Sequence, residues 1–244
     1  MNFFIAGSIT FLGSLVQGAV GFAYGLISVP LLTWAGFDLS QAVALTTLSI
    51  GIQVAISSYK LRAHIPFKDV KLAAFIRYMT MPIGIIILLT VENFNRSQVK
   101  RIVGVIVLLS VLIRIFARVK PMSRIPTIVS IATFSISGIL QGAVSMGGPP
   151  IVLWMTARDF TSQTARAFTL TLFLLNAPVQ VLLLYWLSDN MNNSVILMAF
   201  LLSPIIFIGS LLGIRIGNQF SKDTLNKAAI ILLLVISASA ILTA

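Results

Sequence analysis

The chain has no cysteine among its 244 residues. That excludes a disulfide framework, a thiolate nucleophile and an iron–sulfur cluster. Acidic side chains are nearly as scarce. There are six, Asp38, Asp69, Glu92, Asp159, Asp189 and Asp223, and each falls between apolar runs or at the end of one. Nothing therefore resembles the buried carboxylate relay of a proton pump. The single histidine, His64, stands in a basic stretch without a second metal ligand nearby and reads as a surface residue. The chain carries no His-Glu metal motif and no Gly-x-x-x-x-Gly-Lys-Ser/Thr phosphate loop. The expectation is a non-enzyme without cofactor or metal.

Charge of either sign is sparse. Charged residues make up 9% of the chain, where a soluble domain carries about 25%. Hydrophobic residues make up 58%, in long runs repeated along the whole length. Each membrane-spanning helix needs roughly 20 apolar residues, and the period-two alternation of a membrane β-barrel is missing. The fold class expected is all-α, a polytopic helical membrane protein whose surroundings are a lipid bilayer. A net charge of +11 would suggest nucleic acid in a soluble protein. In a membrane protein it reflects basic loops on the cytoplasmic side, so no nucleic-acid partner is expected. The N-terminus lacks the basic n-region of a signal peptide, and the first apolar segment is read as retained.

One tetrapeptide occurs twice. Gln17-Gly18-Ala19-Val20 returns as Gln141-Gly142-Ala143-Val144, each time inside an apolar run and ahead of helix-breaking residues. The first copy continues through Gly21 and Gly25 to Pro30, the second through Gly147, Gly148, Pro149 and Pro150. The match extends further. Phe37 and Phe160 each lead into a polar-striped span, which sets Gln53 against Asn176. Each half then reads as a broken element followed by three spans: 3–35, 42–59, 70–91 and 102–116, then 125–157, 165–187, 195–214 and 225–244. The division expected is 1–122 and 123–244, two repeats forming one membrane domain.

Loop charge bears on how the halves relate. If all eight elements crossed once, the two sides would receive equal numbers of basic residues and orientation would carry no signal. If each broken element enters and returns as a hairpin, one side collects 13 of the 17 lysines and arginines and the other three, with Arg77 left inside a span. That partition fits the positive-inside rule. It makes the halves inverted, as in many secondary transporters, and puts both termini outside. The count fixes parity alone; a pair of tilted full helices satisfies it equally well.

Irregular backbone at membrane depth is tolerated where it is buried in protein or lines a wet cavity. Pro149 and Pro150 suit the first turn of a new helix, and a helix beginning there would point free N–H groups and its positive end into such a cavity, a ready anion site. Inverted copies would bring two such ends together near the midplane, with Gln17 and Gln141 as side-chain donors. The competing reading is close glycine packing between helices. The stripe Thr46 and Gln53, with its counterpart Thr169, Asn176 and Gln180, either lines the same cavity or supplies interhelical hydrogen bonds. Pro178 is expected to kink its span. Arg77 either attracts an anion or is snorkelling or paired within the structure.

The early Gln-Gly-x-x-Gly stretch running to Val29-Pro30-Leu31-Leu32, the segment Ala42–Thr47 and the second Gly-x-x-x-x-Gly-Gly-Pro block resemble the sulfite exporter TauE/SafE family over essentially the full chain. The resemblance implies a bacterial or archaeal inner-membrane transporter of sulfite, thiosulfate or organosulfonates, often moving them outward. Matching positions are Gln17, Gly18, Gly21 and Gly25, then Gln141, Gly142, Gly147, Gly148 and Pro149. Phe22, Ala23 and Tyr24 stand where the family's first half is usually richer in glycine, leaving the half-sites unequal. The expected function is secondary transport of a small sulfur-containing anion by alternating access. An anion channel and a non-transporting membrane scaffold are the alternatives, and oligomeric state is left open.

Overall fold

Every apolar run of the sequence forms a helix in the computed structural model, which describes residues 2–21, 23–116, 121–122 and 125–242. Most of the basic cluster Arg114–Arg124 lies outside the described residues. In chain order the helices are α1 (Phe3–Val20), α2 (Tyr24–Trp34), α3 (Leu39–Lys60), α4 (Phe67–Glu92), α5 (Arg96–Phe116), α6 (Thr127–Val144), α7 (Gly148–Ala157), α8 (Ser162–Leu187), α9 (Asn193–Leu201), α10 (Ser203–Gln219) and α11 (Lys222–Leu242), with one 3-10 turn at Arg62–His64. No strand occurs among the described residues. Helices α1, α4, α6 and α8 are long and apolar enough to cross a membrane, and the pair α9–α10 makes a fifth such element with a 47° bend. Their outward faces are apolar: Phe75, Met79, Ile83 and Ile86 of α4 are all exposed. Such a belt suits lipid, which asks no hydrogen bonds of it.

Both broken elements of the sequence are hairpins with unequal arms. Helix α1 has 18 residues against 11 in α2, and α6 has 18 against 10 in α7. At 1.5 Å per residue each long arm reaches about 27 Å, close to the ~30 Å hydrocarbon core. Each long arm ends on a left-handed residue, Gly21 (φ 85°) or Ser145 (φ 53°), whose N–H returns to the carbonyl of Gln17 or Gln141. This is a common way to close a helix, and glycine accepts the left-handed conformation without cost. In the second hairpin the Trp154 indole N–H bonds Ser130 across the arms at 2.9 Å.

The run 195–214 departs from a single straight span. It breaks at Leu202, and α10 begins with Ser203-Pro204. Proline has no N–H and its ring collides with the carbonyl four residues back. Pro30, Pro82 and Pro178 leave α2, α4 and α8 unbroken.

Two helix seams organise the interior. Along the first, α1 runs parallel to α10; along the second, α6 runs parallel to α4. Gly213 meets the Leu15 carbonyl and the Ala19 N–H, and Gly18 in turn meets the Ser210 carbonyl. In the other seam Gly84 meets the Ile139 carbonyl and the Ala143 N–H, and Gly142 meets the Met81 carbonyl. None of these four positions has room for a Cβ. Small residues let membrane helices approach this closely, so the glycine of each repeated tetrapeptide serves the same kind of contact.

Contacts between links sort them onto two ends of the bundle. At one end Arg158 pairs with Asp69 at 4.0 Å, and Met122 N–H bonds the Ala157 carbonyl at 2.9 Å. The α6–α7 hairpin thus opens where it begins. At the other end the Ser40 N–H and hydroxyl both donate to Glu92 Oε1, and Gln41 donates to the Asn190 carbonyl.

Candidate substrate site at the paired helix breaks

The two breaks meet. Gly25, in the first turn of α2, lies so close to the Ser145 carbonyl at the α6–α7 break that no side chain would fit between them. The interior also holds polar residues that are almost completely buried: Gln17, Gln53, Thr46, Thr47, Arg77, Gln141, Ser145, Asn176 and Gln180.

Gln141 is the hub. Its Nε2 donates to Gln180 Oε1 at 2.8 Å. Its Oε1 accepts from Arg77 Nη2 at 3.0 Å and from Gly147 N–H at 3.3 Å. Gln180 answers with Nε2, donating to the Gln141 carbonyl at 2.6 Å and to Ser145 Oγ at 3.2 Å. Ser145 Oγ also shares a short hydrogen bond with Thr47 Oγ1. One connected network thus fastens α3, α4, α6 and α8 to the second break.

Gln17, the counterpart of Gln141, is 5% exposed, and its side chain makes no hydrogen bond to another described residue. Gln53 Nε2 donates to the Ser14 carbonyl at 3.2 Å and to Ser210 Oγ at 3.0 Å, while its Oε1 has no partner. Asn176, one methylene shorter, is fully buried with both amide atoms unpartnered. Asn176 and Gln180 stand one turn apart on α8 and share a face. Unpartnered polar atoms at this depth are costly, and each calls for an explanation.

The residues named from sequence divide between network and frame. Gln141, Gly147 and Gln180 belong to the network. Gly18 and Gly142 sit in the seams, and Gly21 closes α1. Gly148 meets only Phe173, at 3.8 Å from where its Cβ would be. Pro149 lines an apolar crevice with Leu26, Val152 and Leu233. Thr46 is buried with its hydroxyl unpartnered, and its neighbour Thr47 is the one that reaches the break. Thr169 bonds Met155 Sδ and the Ala165 carbonyl, tying α8 to α7.

One sequence expectation changes in its chemistry. Helix α7 begins at Gly148, so Pro149 and Pro150 occupy its first turn. Neither has an N–H, and the Gly147 N–H is turned to Gln141. The end of α7 is poor in backbone donors, and the polar groups there come from side chains. Ser145, Thr47 and Ser210 were the contributors that sequence left out. Ser145 carried a signal, since a left-handed residue has to follow Gln141-Gly142-Ala143-Val144 at the position Gly21 holds in the first copy.

Parallel glycine seams, interrupted helices and a polar core sealed by an apolar exterior define a multi-pass helical membrane protein of a transporter class. The chain belongs to the sulfite exporter TauE/SafE family, whose model matches residues 6–240. It is similar to the probable sulfite/organosulfonate exporter TauE of Cupriavidus necator, at 23% identity over 239 residues, covering 95% of this chain and 91% of that one. No solved structure matches the chain.

Proposed function

We propose that the protein is a secondary transporter exporting sulfite or a small organosulfonate by alternating access across a bacterial or archaeal cell membrane. The observation that carries this reading is the meeting of the two repeated breaks in a buried polar core, where Gly25 abuts Ser145 and Gln141 gathers α4, α6 and α8. Membrane transporters place substrate sites at interrupted helices near the bilayer midplane. Gln17, Gly21, Gly25, Thr46, Gln53, Gln141, Gly147, Asn176 and Gln180 would face the substrate, Gly18, Gly142, Gly148 and Pro149 supporting the breaks. The name of the relative from Cupriavidus necator supports the same substrate class.

The purified protein in liposomes is expected to show saturable flux of sulfite and methanesulfonate. Flux that rises linearly with concentration would favour a channel, and absence of flux would favour a scaffold.

Orientation follows from the same reading. The two halves, 1–122 and 123–244, are inverted repeats with both termini outside. Support comes from the paired seams and from the grouping of the links by the contacts Asp69–Arg158, Ser40–Glu92 and Gln41–Asn190. Single cysteines at the exposed positions Asn95 and Asn190 should both react with an impermeant reagent from outside, and one at His64 only after permeabilisation. Labelling of Asn95 and Asn190 from opposite sides would overturn the inverted arrangement.

A further inference from the structure

Arg77 is the eleventh residue of α4, about 15 Å along it at 1.5 Å per residue, and is fully buried. A guanidinium remains charged in proteins. Burying it without a partner costs several kcal/mol, and snorkelling is closed to a side chain with no exposed surface. A structural role would show as a carboxylate or a set of carbonyls around it. Instead one nitrogen, Nη2, donates to the neutral Gln141 Oε1, while Nε and Nη1 have no partner. The ion pair Arg158–Asp69 lies at the end of the bundle, and the acids are confined to links and helix ends.

Its position is specific. A Cβ on Gly147 would come within 2.6 Å of Arg77 Nη2, so the absence of a side chain at the break leaves space for the guanidinium. The first turn of α7, with Pro149 and Pro150 in it, keeps few of the backbone donors an anion needs. Arg77 supplies them, with a planar fork that matches an oxyanion.

The corresponding place in the other seam is apolar. Arg77 stands seven residues before Gly84, which packs on α6; seven residues before Gly213, which packs on α1, stands the fully buried Ile206. The pair of breaks therefore holds one fixed positive charge. A bound monoanion neutralises it. A dianion would leave one negative charge uncompensated in a buried site, at a cost again of several kcal/mol.

We propose that Arg77 is the charge-recognition residue of the transport site and that it matches the site to a sulfonate or bisulfite head carrying a single negative charge. This rests on the transport reading above. The test uses full-length protein in liposomes with methanesulfonate (singly charged at every working pH), sulfite (which becomes a dianion near neutrality) and sulfate. Wild type should carry methanesulfonate at a rate independent of pH, carry less sulfite as pH rises through its second ionisation, and exclude sulfate. Arg77→Lys keeps the charge and loses the fork; its KM should rise about tenfold, equivalent to ~1.4 kcal/mol, with kcat retained. Arg77→Met should lose transport together with the methanesulfonate-induced rise in unfolding temperature. Unchanged KM in either variant would overturn the assignment. Sulfate carried as well as methanesulfonate, or sulfite flux rising with pH, would overturn the single-charge match. If Arg77→Met fails to fold, the lysine variant and the wild-type pH series decide. Wild type carrying none of the three anions would remove the transport reading, and this inference with it.

Discussion

The two helix breaks share a frame and differ in chemistry. Each ends its long arm on a left-handed residue two positions beyond a shared Gly-Ala, and each tetrapeptide glycine packs against the backbone of a partner helix. At the first break every residue in the opening turn of α2, Tyr24, Gly25 and Leu26, carries a backbone N–H, but Ile206 occupies the place of a cation. At the second break Pro149 and Pro150 remove backbone donors, while Arg77, Gln141 and Gln180 supply side-chain donors. The difference teaches that one way of touching a partner helix is kept at both breaks while the polar groups around them differ. In the proposed site, one break would offer the dipole end of a helix and the other a fixed charge.

The glutamines give the largest contrast. Gln141→Ala strands two donors, the Arg77 Nη2 and the Gly147 N–H, and one acceptor, Gln180 Oε1, in a buried setting. An unsatisfied buried donor costs about 1–3 kcal/mol, more when charged, so a loss of at least ~3 kcal/mol is expected with near-complete loss of flux. Gln17→Ala removes no hydrogen bond to a described residue and should cost under ~1 kcal/mol. If Gln17 faces the substrate as proposed, its flux should nevertheless fall. Unfolding midpoints in detergent, measured beside liposome flux, check both. Equal destabilisation by the two substitutions would break the comparison.

The seams should behave alike. A Cβ at Gly84 or at Gly213 would collide with backbone, at the Ile139 and Leu15 carbonyls respectively. Backbone cannot rotate away as a side chain can, so Gly84→Ala and Gly213→Ala should each cost ~2 kcal/mol, within the usual range for overpacking. Matched drops in unfolding temperature are the expected result. A large drop in one alone would mean that the two seams do not bear equal load.

Much of this frame was legible in the amino-acid order. The repeated Gln-Gly-Ala-Val, the breaks after it and the clustering of acids outside the apolar runs follow from residue type and local stiffness. Partners were not legible. Gln141 and Arg77 are 64 residues apart, and their contact depends on how α6 lies along α4, which no local pattern encodes. Thr46 and Thr47 are adjacent and point about 100° apart on a helix, so the stripe on α3 could not say which reaches Ser145. The bend at Leu202 was hidden because the run 195–214 is uncharged and mostly apolar, and hydropathy is blind to the missing N–H of Pro204. The donor chemistry of α7 was misread for the same reason. Prolines suited to a helix start also remove backbone donors from it, which in the proposed site shifts recognition onto Arg77.

A reciprocal exchange at one equivalent position isolates the smallest effect. Ala23 and Gly147 each precede the first residue of a short arm, and each is the wrong residue for the other's place. Ala23 holds φ 86°, a left-handed conformation that costs an L-residue roughly 1–2 kcal/mol. Ala23→Gly relieves that strain and restores part of the cost as unfolded-chain entropy, for a net gain of about 0.5 kcal/mol. Gly147 has φ −69°, so an alanine there is unstrained in its backbone. Its Cβ would instead press on Arg77 Nη2 and the Ser137 carbonyl, both at 2.6 Å. Gly147→Ala should therefore lose stability and weaken anion binding, while Ala23→Gly gains stability with binding unchanged. Opposite signs in unfolding temperature, with a binding defect in Gly147→Ala alone, are what the division of labour between the breaks requires. A binding defect in Ala23→Gly would show that the first break contributes more than backbone donors, and that its left-handed alanine is held in strain for the substrate.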